Sequence, residues 1–503
     1  MHRARLVFGL VFAACAEGEP PGADLARSSA IVTAVEAPEA ASVRAHPKDA
    51  TPGSIEDNVP FSATGERAAS IAWRTWVYTD VGRNRTRYGY LRAGAIVDVR
   101  GPPIKNDGCD GGWYRVNPRG FVCVGLGATL ELEHPVAVAS QGRAVRGQGL
   151  PYFYALSNDI SPLLYFRLPS AREMRESEQV DVAGRSAIVR ERLRGTSLAA
   201  LVEPQPPPTF LENGAKLTKP HGVERPLRFL YHAGNANPES GFAISRTFEW
   251  EGRLFGLTTE LDIIALDRTK PVFPSTFHGV TLNEGDDLPV GFAVPSPVPR
   301  YELRDGMMIA TGSVPYREGV VLTDERRTGG LAKTRDGSWV AAPVLRQIPR
   351  RSSFPSFATG DRKWVDVSIK EQSLVAYVGR RPVYATLVST GRSGMADPEK
   401  TDATVRGSFM IYQKEVSATM DGDEDRADSF NLHDVPFVQY FHKGYALHGT
   451  YWHDDFGKAR SHGCVNLAPA DAAWLFEWTD PVVPPEWHGV LNKDRGTVVY
   501  VRP

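Results

Sequence analysis

Short apolar runs separated by glycine and proline recur along this 503-residue chain, which contains 47 glycines and 38 prolines. Runs at 95–99, 261–265 and 497–501 have the length and composition of strands, and the turn residues between them interrupt long helices. One short helix is predicted from Ser170 to Gln179, where Ser170 can cap it. The length favours three or four domains. We therefore expect a mainly β, multidomain protein.

The first 15 residues have the pattern of an export signal. Two arginines precede a short apolar core, and Ala13-Ala14 precede Cys15. The core is shorter than the roughly 20 apolar residues that span a bilayer. Cys15 resembles the lipidated cysteine of bacterial lipoproteins, with simple secretion as the alternative. Residues 16–65, rich in Ala, Glu, Pro and Ser, are predicted to be a disordered linker.

Residues 68–135 are predicted to form a small β-barrel of five short strands. The pattern of Gly-Trp-Tyr-Arg-Val followed by Gly-Phe-Val resembles bacterial Src-homology-3-like domains, which bind wall peptide or position a catalytic partner. Cys109 and Cys123 flank the strand that contains Trp113. A hairpin there would bring them together for a disulfide in an oxidising compartment, and two separately buried thiols are the alternative.

Residues 140–355 are predicted to be β-rich, with a spacer or wall-binding role as the plainest interpretation. A turn followed by Trp339 indicates the end of a second small barrel. The 58 basic and 59 acidic residues give a net charge of −1, so the chain lacks the cationic field that nucleic-acid binding requires. Nucleic acid is therefore excluded as an expected partner.

Residues 460–467 carry the strongest chemical signal. Cys464 follows a glycine and stands two residues after His462, while His448 lies upstream in a separate strand-like run. A cysteine beside an imidazole that can accept its proton is the arrangement of an activated thiolate nucleophile. The helix predicted to begin at Pro469 follows directly.

Five motifs in this part of the chain occur in the order found in one known family. They are Gln372-Ser373-Leu374, Ser389-Thr390-Gly391, Gly407-Ser408-Phe409, His448-Gly449 and Ser461-His462-Gly463-Cys464-Val465-Asn466-Leu467. Residues 362–502 thus resemble the YkuD-type catalytic domain of the L,D-transpeptidases, which implies a β-sandwich-like domain with one main helix. Two positions depart from the usual motifs: Val405 replaces a proline, and Asn466 stands where many members have arginine. We interpret the second as a change in substrate contacts.

The resemblance implies a role for each residue of the motif. Cys464 would be the nucleophile and His448 the general base and acid, with the backbone carbonyl of Gly449 fixing the tautomer of His448. His462 and Gly463 would support the oxyanion through backbone N–H groups of the loop that contains Cys464. From the residues alone, His462 is close enough to Cys464 in sequence to be the base instead, and this alternative stays open.

Residues near the motif are candidate substrate contacts. They are Ser461, Asn466, Tyr445, Trp452 and Arg460. For the aromatic residues the alternative is ordinary packing, and for Arg460 a solvated charge. The histidines around Cys464 lack the spacing of zinc ligands, and a metal would quench the thiolate, so no metal and no cofactor are expected. Acidic residues at 421–425 resemble the start of a calcium loop without its twelfth-position glutamate, which favours a solvated loop.

The implied reaction is acyl transfer between peptidoglycan stem peptides, one as donor and one as acceptor. Cys464 would attack the bond before the terminal D-alanine of a tetrapeptide stem, and a second stem amine would take the acyl group in a three-to-three cross-link. A cysteine L,D-carboxypeptidase or hydrolase of the wall and an inactive wall-binding scaffold are the alternatives. The expected location is the periplasmic cell envelope, with membrane contact only through a lipid on Cys15.

Overall fold

The structure, a computed structural model, describes residues 65–142, 144–147, 149–225, 229–421 and 431–503. The predicted export signal (1–15), its Cys15 and the predicted linker up to residue 64 lie outside the described residues, as does most of the acidic segment at 421–425. The described part is mainly β with four short α-helices, which confirms the predicted fold class. None of its helices has the length and apolar character needed to cross a membrane.

The N-terminal unit (67–129) contains seven short antiparallel strands in the order β3-β2-β6-β5-β4-β1-β7. The strands are β1 (Arg67–Ser70), β2 (Thr75–Tyr78), β3 (Arg87–Leu91), β4 (Ile96–Asn106), β5 (Cys109–Val116), β6 (Phe121–Cys123) and β7 (Ala128–Thr129). Cys109 and Cys123 form a disulfide between β5 and β6, with their Cα atoms 5.7 Å apart. The resemblance of this unit to Src-homology-3-like domains stays a prediction.

The middle unit (135–272) combines one antiparallel sheet with three helices. Its elements are α1 (Pro135–Ala139), β8 (Phe153–Ser157), β9 (Leu163–Tyr165), α2 (Ala171–Glu178), α3 (Arg185–Leu193), β10 (His232–Asn235), β11 (Gly241–Trp250), β12 (Arg253–Thr258), β13 (Ile263–Ala265) and β14 (Thr269–Pro271). The prediction of a helix capped by Ser170 is confirmed by α2, whose first turn has a capping box in which Ser170 and Glu173 each bond the other's backbone N–H.

The region predicted as one β-rich unit contains a second, separate sheet. This seven-stranded unit (290–348) has the order β18-β17-β21-β20-β19-β16-β22. Its strands are β16 (Val290–Phe292), β17 (Val298–Arg304), β18 (Met307–Val314), β19 (Gly319–Arg327), β20 (Leu331–Thr334), β21 (Trp339–Ala341) and β22 (Arg346–Ile348), preceded by the short β15 (Val280–Thr281). The predicted turn before Trp339 joins β20 to β21.

The C-terminal unit (363–502) has two sheets around one helix. Its elements are β23 (Lys363–Ser368), β24 (Ser373–Val378), β25 (Arg381–Leu387), β26 (Gly407–Met410), β27 (Gln413–Asp421), β28 (Asn431–His442), β29 (Tyr445–Gly449), β30 (Val465–Leu467), α4 (Pro469–Trp478), β31 (Gly489–Leu491) and β32 (Val498–Arg502). The first sheet has the order β15-β25-β24-β23-β32-β26. The second has the order β30-β29-β28-β27-β31.

The units share their sheets and their core. Strand β15 extends the first C-terminal sheet by pairing with β25, and β31 pairs with β3 of the N-terminal unit. Val99 of the N-terminal unit belongs to the same buried cluster as Val365 of the first C-terminal sheet, Leu447 of the second and Leu475 of α4. Burial of apolar area on both sides of each boundary therefore holds the units together.

Candidate active site

Strands β29 and β30 bring together the two segments that sequence analysis singled out. They run parallel, with Leu447 opposite Val465 and His448 opposite Asn466. Cys464 directly precedes β30, so the same register places it beside Ala446, two residues before His448. Cys464 and Ala446 belong to one buried cluster, and Cys464 Sγ lies 3.6 Å from the carbonyl oxygen of Gly444.

The imidazole of His448 is oriented by the main chain. Its Nδ1 lies 3.0 Å from the carbonyl oxygen of Gly449, so Nδ1–H donates and the lone pair of the neutral ring stands on Nε2. Burial lowers the pKa of His448 to about 4, against the opposing effect of the Gly449 carbonyl. His448 is therefore neutral at neutral pH and can accept a proton. The hydrogen bond from His448 to the Gly449 carbonyl is the one that the sequence resemblance implies. The catalytic role of Gly449 stays a prediction.

Two side-chain bonds of Ser461 shape the loop before Cys464. Ser461 Oγ donates to the carbonyl oxygen of Cys464 and accepts from the N–H of Gly463, 3.1 Å away. The N–H of Gly463 is thus already hydrogen-bonded. The backbone N–H groups of His462 and Cys464 are therefore the remaining candidates for stabilising the oxyanion. Ser461 is buried, and its hydroxyl serves the loop in this structure. Its predicted substrate contact has no support in this geometry.

The loop before Cys464 strongly favours glycine at position 463. The φ of Gly463 is +132°, a backbone conformation that residues with a side chain rarely adopt. A Cβ at this position would lie 2.8 Å from Cε1 of Tyr445. The Tyr445 ring therefore packs directly against the loop, and its hydroxyl donates to the carbonyl oxygen of Pro398, 3.1 Å away.

Residues of the other motifs hold this loop from outside. Thr404 Oγ1 donates to the carbonyl oxygen of Gly463 and accepts from the N–H of Gly391, both at 2.8 Å. The backbone N–H groups of Arg460 and Ser461 both donate to the carbonyl oxygen of Thr390. Sequence reasoning did not assign Thr404 to the site, although it begins the motif in which Val405 departs from the usual pattern.

The side chain of Asn466 faces His453. The amide nitrogen Nδ2 is placed 2.9 Å from Nε2 of His453, whose Nδ1 accepts from the N–H of Asp455 at 3.3 Å. Burial lowers the pKa of His453 to about 3, with Arg460 acting in the same direction, so the ring is neutral and Nε2 carries its proton. The amide oxygen of Asn466 must then be the atom that accepts from Nε2, because a protonated nitrogen accepts no bond. Asn466 is buried, and its predicted contact with substrate stays a prediction.

The remaining candidates border the site. The ring of Trp452 lies 5.8 Å from that of His448, at an interplanar angle of 31°. Arg460 is half-exposed and pairs with Asp455, with Nη2 and Oδ2 2.8 Å apart. His462 is buried on the loop beside Cys464, and the choice between it and His448 as base stays a prediction. Within the described ranges, no three His, Cys, Asp or Glu side chains are grouped as metal ligands.

Comparisons with known proteins find similarity in the part of the chain that contains this site. Residues 362–501 match the YkuD family model, described as the L,D-transpeptidase catalytic domain. The L,D-transpeptidase-family protein YciB of Bacillus subtilis (strain 168) is 29% identical over 126 residues, which cover 23% of this chain and 59% of that protein. The chain thus spans about three-fifths of the length of this relative.

Two solved structures illustrate the similarity. A crystal structure of the L,D-transpeptidase (residues 123-326) from Xylanimonas cellulosilytica DSM 15894 is 22% identical, with a TM-score of 0.21, and the match covers 31% of this chain and 64% of that one. The L,D-transpeptidase (Yku) from Stackebrandtia nassauensis is 27% identical, with a TM-score of 0.20, over 30% of this chain and 62% of that one.

Proposed function

We propose that this protein is a peptidoglycan L,D-transpeptidase that forms three-to-three cross-links, since residues 362–501 match the model of the YkuD family, the L,D-transpeptidase catalytic domain. The observation that carries the proposal is His448: a neutral imidazole, fixed by the Gly449 carbonyl at 3.0 Å, on the strand that pairs with the one following Cys464. A thiol with a pKa of about 8.5 is mostly protonated at neutral pH, so a nearby base supports attack.

The first half of the reaction forms a thioester. Nε2 of His448 accepts the Cys464 proton as the sulfur attacks the carbonyl carbon before the terminal D-alanine of a tetrapeptide stem. The negative oxygen of the tetrahedral intermediate is stabilised by the N–H groups of His462 and Cys464, each such donor contributing about 3 kcal/mol. The protonated His448 then gives its proton to the departing amine of D-alanine.

The second half transfers the acyl group to an amine. The side-chain amine of a neighbouring stem attacks the thioester, His448 takes a proton from it, and Cys464 is restored as the thiol. Water in place of the amine would make the protein an L,D-carboxypeptidase. A wall-binding scaffold without activity would need neither the oriented imidazole nor the cysteine loop.

The products that the protein forms from a purified muropeptide distinguish these functions. We expect disaccharide tetrapeptide to give a dimer that has lost one D-alanine, together with an acyl adduct on Cys464, both measured by mass spectrometry. Cys464→Ala should give neither, and His448→Ala should lose the adduct. Tripeptide alone would establish hydrolysis instead, and an intact substrate without an adduct would establish the scaffold. A normal adduct rate in His448→Ala would transfer the role of base to His462.

We also propose that the protein is exported to the cell envelope and anchored by a lipid on Cys15. The support is the apolar run that ends at Ala13-Ala14 before this cysteine. Mass spectrometry of the mature N-terminus tests the proposal: a diacylglyceryl-modified Cys15 is expected, and an unmodified N-terminus would establish secretion without an anchor.

A further inference from the structure

The segment 451–456, which follows β29, is held by parts of the chain far away in sequence. Tyr451 stacks on Tyr154 of the middle unit, with ring centroids 4.3 Å apart. Phe456 stacks on Phe277, with centroids 5.6 Å apart. Both ends of the segment are therefore packed against residues from the region 140–355, whose role the sequence left open.

Between these two contacts, Asp454 is bound by an arginine of the seven-stranded unit. The guanidinium of Arg317 donates both to the carboxylate and to the backbone carbonyl of Asp454, and Ser275 Oγ donates to the other carboxylate oxygen. A guanidinium that bonds a side chain and its own backbone fixes position as well as charge. The contact therefore restrains the main chain at Asp454.

The backbone of Arg317 is unfavourable for an arginine. The N–H of Glu318 bonds the carbonyl oxygen of Pro315 and closes a turn in which Arg317 is the third residue, with φ +74°. A positive φ at this position of a turn favours glycine or asparagine. Such a conformation persists where the surroundings require it, and it occurs often at functional sites. Beyond the turn, the arginine side chain contacts Asp454 and the neighbouring ring of Tyr316, whose centroid lies 5.2 Å from the guanidinium carbon.

The restrained segment touches the reacting groups on its other side. The ring of Trp452 lies 5.8 Å from the imidazole of His448. His453 bonds the side chain of Asn466, which stands opposite His448 on β30. A shift of the main chain at position 454 would therefore move groups that pack against the base.

We propose that Arg317 is a positioning residue of the active site. By holding Asp454 it keeps Trp452 and His453 against His448 and Asn466, so the seven-stranded unit becomes part of the catalytic apparatus. The inference rests on the proposed function for its reaction. The contact itself acts on the reactivity of Cys464, by way of the position of His448.

Arg317→Gly tests this role because glycine suits the turn and removes the side chain that bonds Asp454. We expect the thermal midpoint to be unchanged or higher. Acylation of Cys464 by stem tetrapeptide should slow about 10-fold, since displacements near 1 Å cost up to about 100-fold. Alkylation of Cys464 by iodoacetamide at neutral pH should also slow, because a displaced His448 accepts the thiol proton less readily. Loss of a purely structural contact would not slow that alkylation.

Arg317→Asn gives a second variant that the turn tolerates, and Arg304→Asn is the control. Arg304 belongs to the same unit, is exposed, and pairs only with Glu302 among the contacts the described residues show; this variant should acylate and alkylate as the wild type does. Wild-type rates of acylation and alkylation in both Arg317 variants would overturn the proposal. If tetrapeptide does not acylate the wild type, the proposed function fails, and the alkylation rates still decide the role of Arg317.

Discussion

At the scale of single residues, two independent features of the loop before Cys464 favour glycine at position 463. Gly463 has a φ of +132°, and its position would put a Cβ 2.8 Å from the Tyr445 ring. We expect Gly463→Ala to lower acylation of Cys464 by about 100-fold, because the loop must shift and the adjacent N–H groups move with it. The folded protein should survive with a loss of about 1–3 kcal/mol in the free energy of unfolding.

Gly125→Ala is the matched control for this prediction. Gly125 has a similar φ of +142°, and a Cβ there would meet no atom within 4 Å. The two variants thus share the backbone strain and differ in the collision and in the distance to the site. Acyl-adduct formation is followed by mass spectrometry and unfolding by urea titration. Equal acylation by both variants would show that loop geometry at position 463 does not limit the reaction.

At the scale of secondary-structure elements, the parts predictable from sequence are those specified by local pattern. The apolar run at 497–501 predicted β32, and the cap at Ser170 predicted α2. The two-residue strand β15 had no such signal, since its pairing with β25 joins residues a hundred positions apart. The same holds in the site: the cysteine motif identified His448 and Cys464, whereas the pairing of Asn466 with His453 depends on how a distant loop packs.

Helix α4 provides an element-scale prediction through Asp471 in its first turn. This buried carboxylate accepts from the N–H of Gly279 at 2.7 Å, from the hydroxyl of Tyr384 at 2.6 Å and from Thr386 Oγ1. Asp471 therefore links two elements to the helix: strand β25 and the segment that leads into β15. Asp471→Ala leaves three buried donors without their acceptor, and we expect it to cost about 3 kcal/mol in the free energy of unfolding.

Glu477→Ala on the same helix is the comparison for Asp471. Glu477 is half-exposed and pairs with Arg146, so its removal should cost at most about 1 kcal/mol. Urea unfolding gives both values. A loss for Asp471→Ala no larger than that for Glu477→Ala would mean that water replaces the carboxylate and that the helix does not depend on this contact.

At the scale of the whole molecule, charged pairs buried between units make cohesion depend on pH. His433 of β28 and Glu260 of the middle unit are both buried, with Nδ1 and Oε1 3.0 Å apart. Burial would lower the pKa of His433, but the Glu260 carboxylate outweighs it and raises the pKa above the usual 6.5. Burial likewise opposes ionisation of Glu260, yet His433 lowers its pKa below the usual 4.5.

The sign of the pH effect follows from these two shifts. A raised histidine pKa contributes stability that is complete below the unfolded value of 6.5 and is lost as pH rises through the folded value. A lowered carboxyl pKa contributes stability that is present above 4.5 and is lost as pH falls through the folded value. The contact is therefore strongest between about 4.5 and 6.5 and weakens on the alkaline side.

We expect the contribution of this pair to the free energy of unfolding to decrease between roughly pH 6 and 9, because the folded pKa of His433 lies above its unfolded value. Burial lowers the pKa of Lys414 to about 7, so its titration raises stability with pH in the same window, and the contribution of the pair is read as the difference between the wild type and His433→Gln. His448 and His488 have pKa values lowered by burial to about 4 and 3, so their titration lies below this window. His433→Gln should therefore gain stability relative to the wild type as pH rises across this window, whereas His221→Gln should not, because His221 and its partner Glu224 are exposed. Urea unfolding across this range measures the slope, and an unchanged slope in His433→Gln would remove this pair as its source.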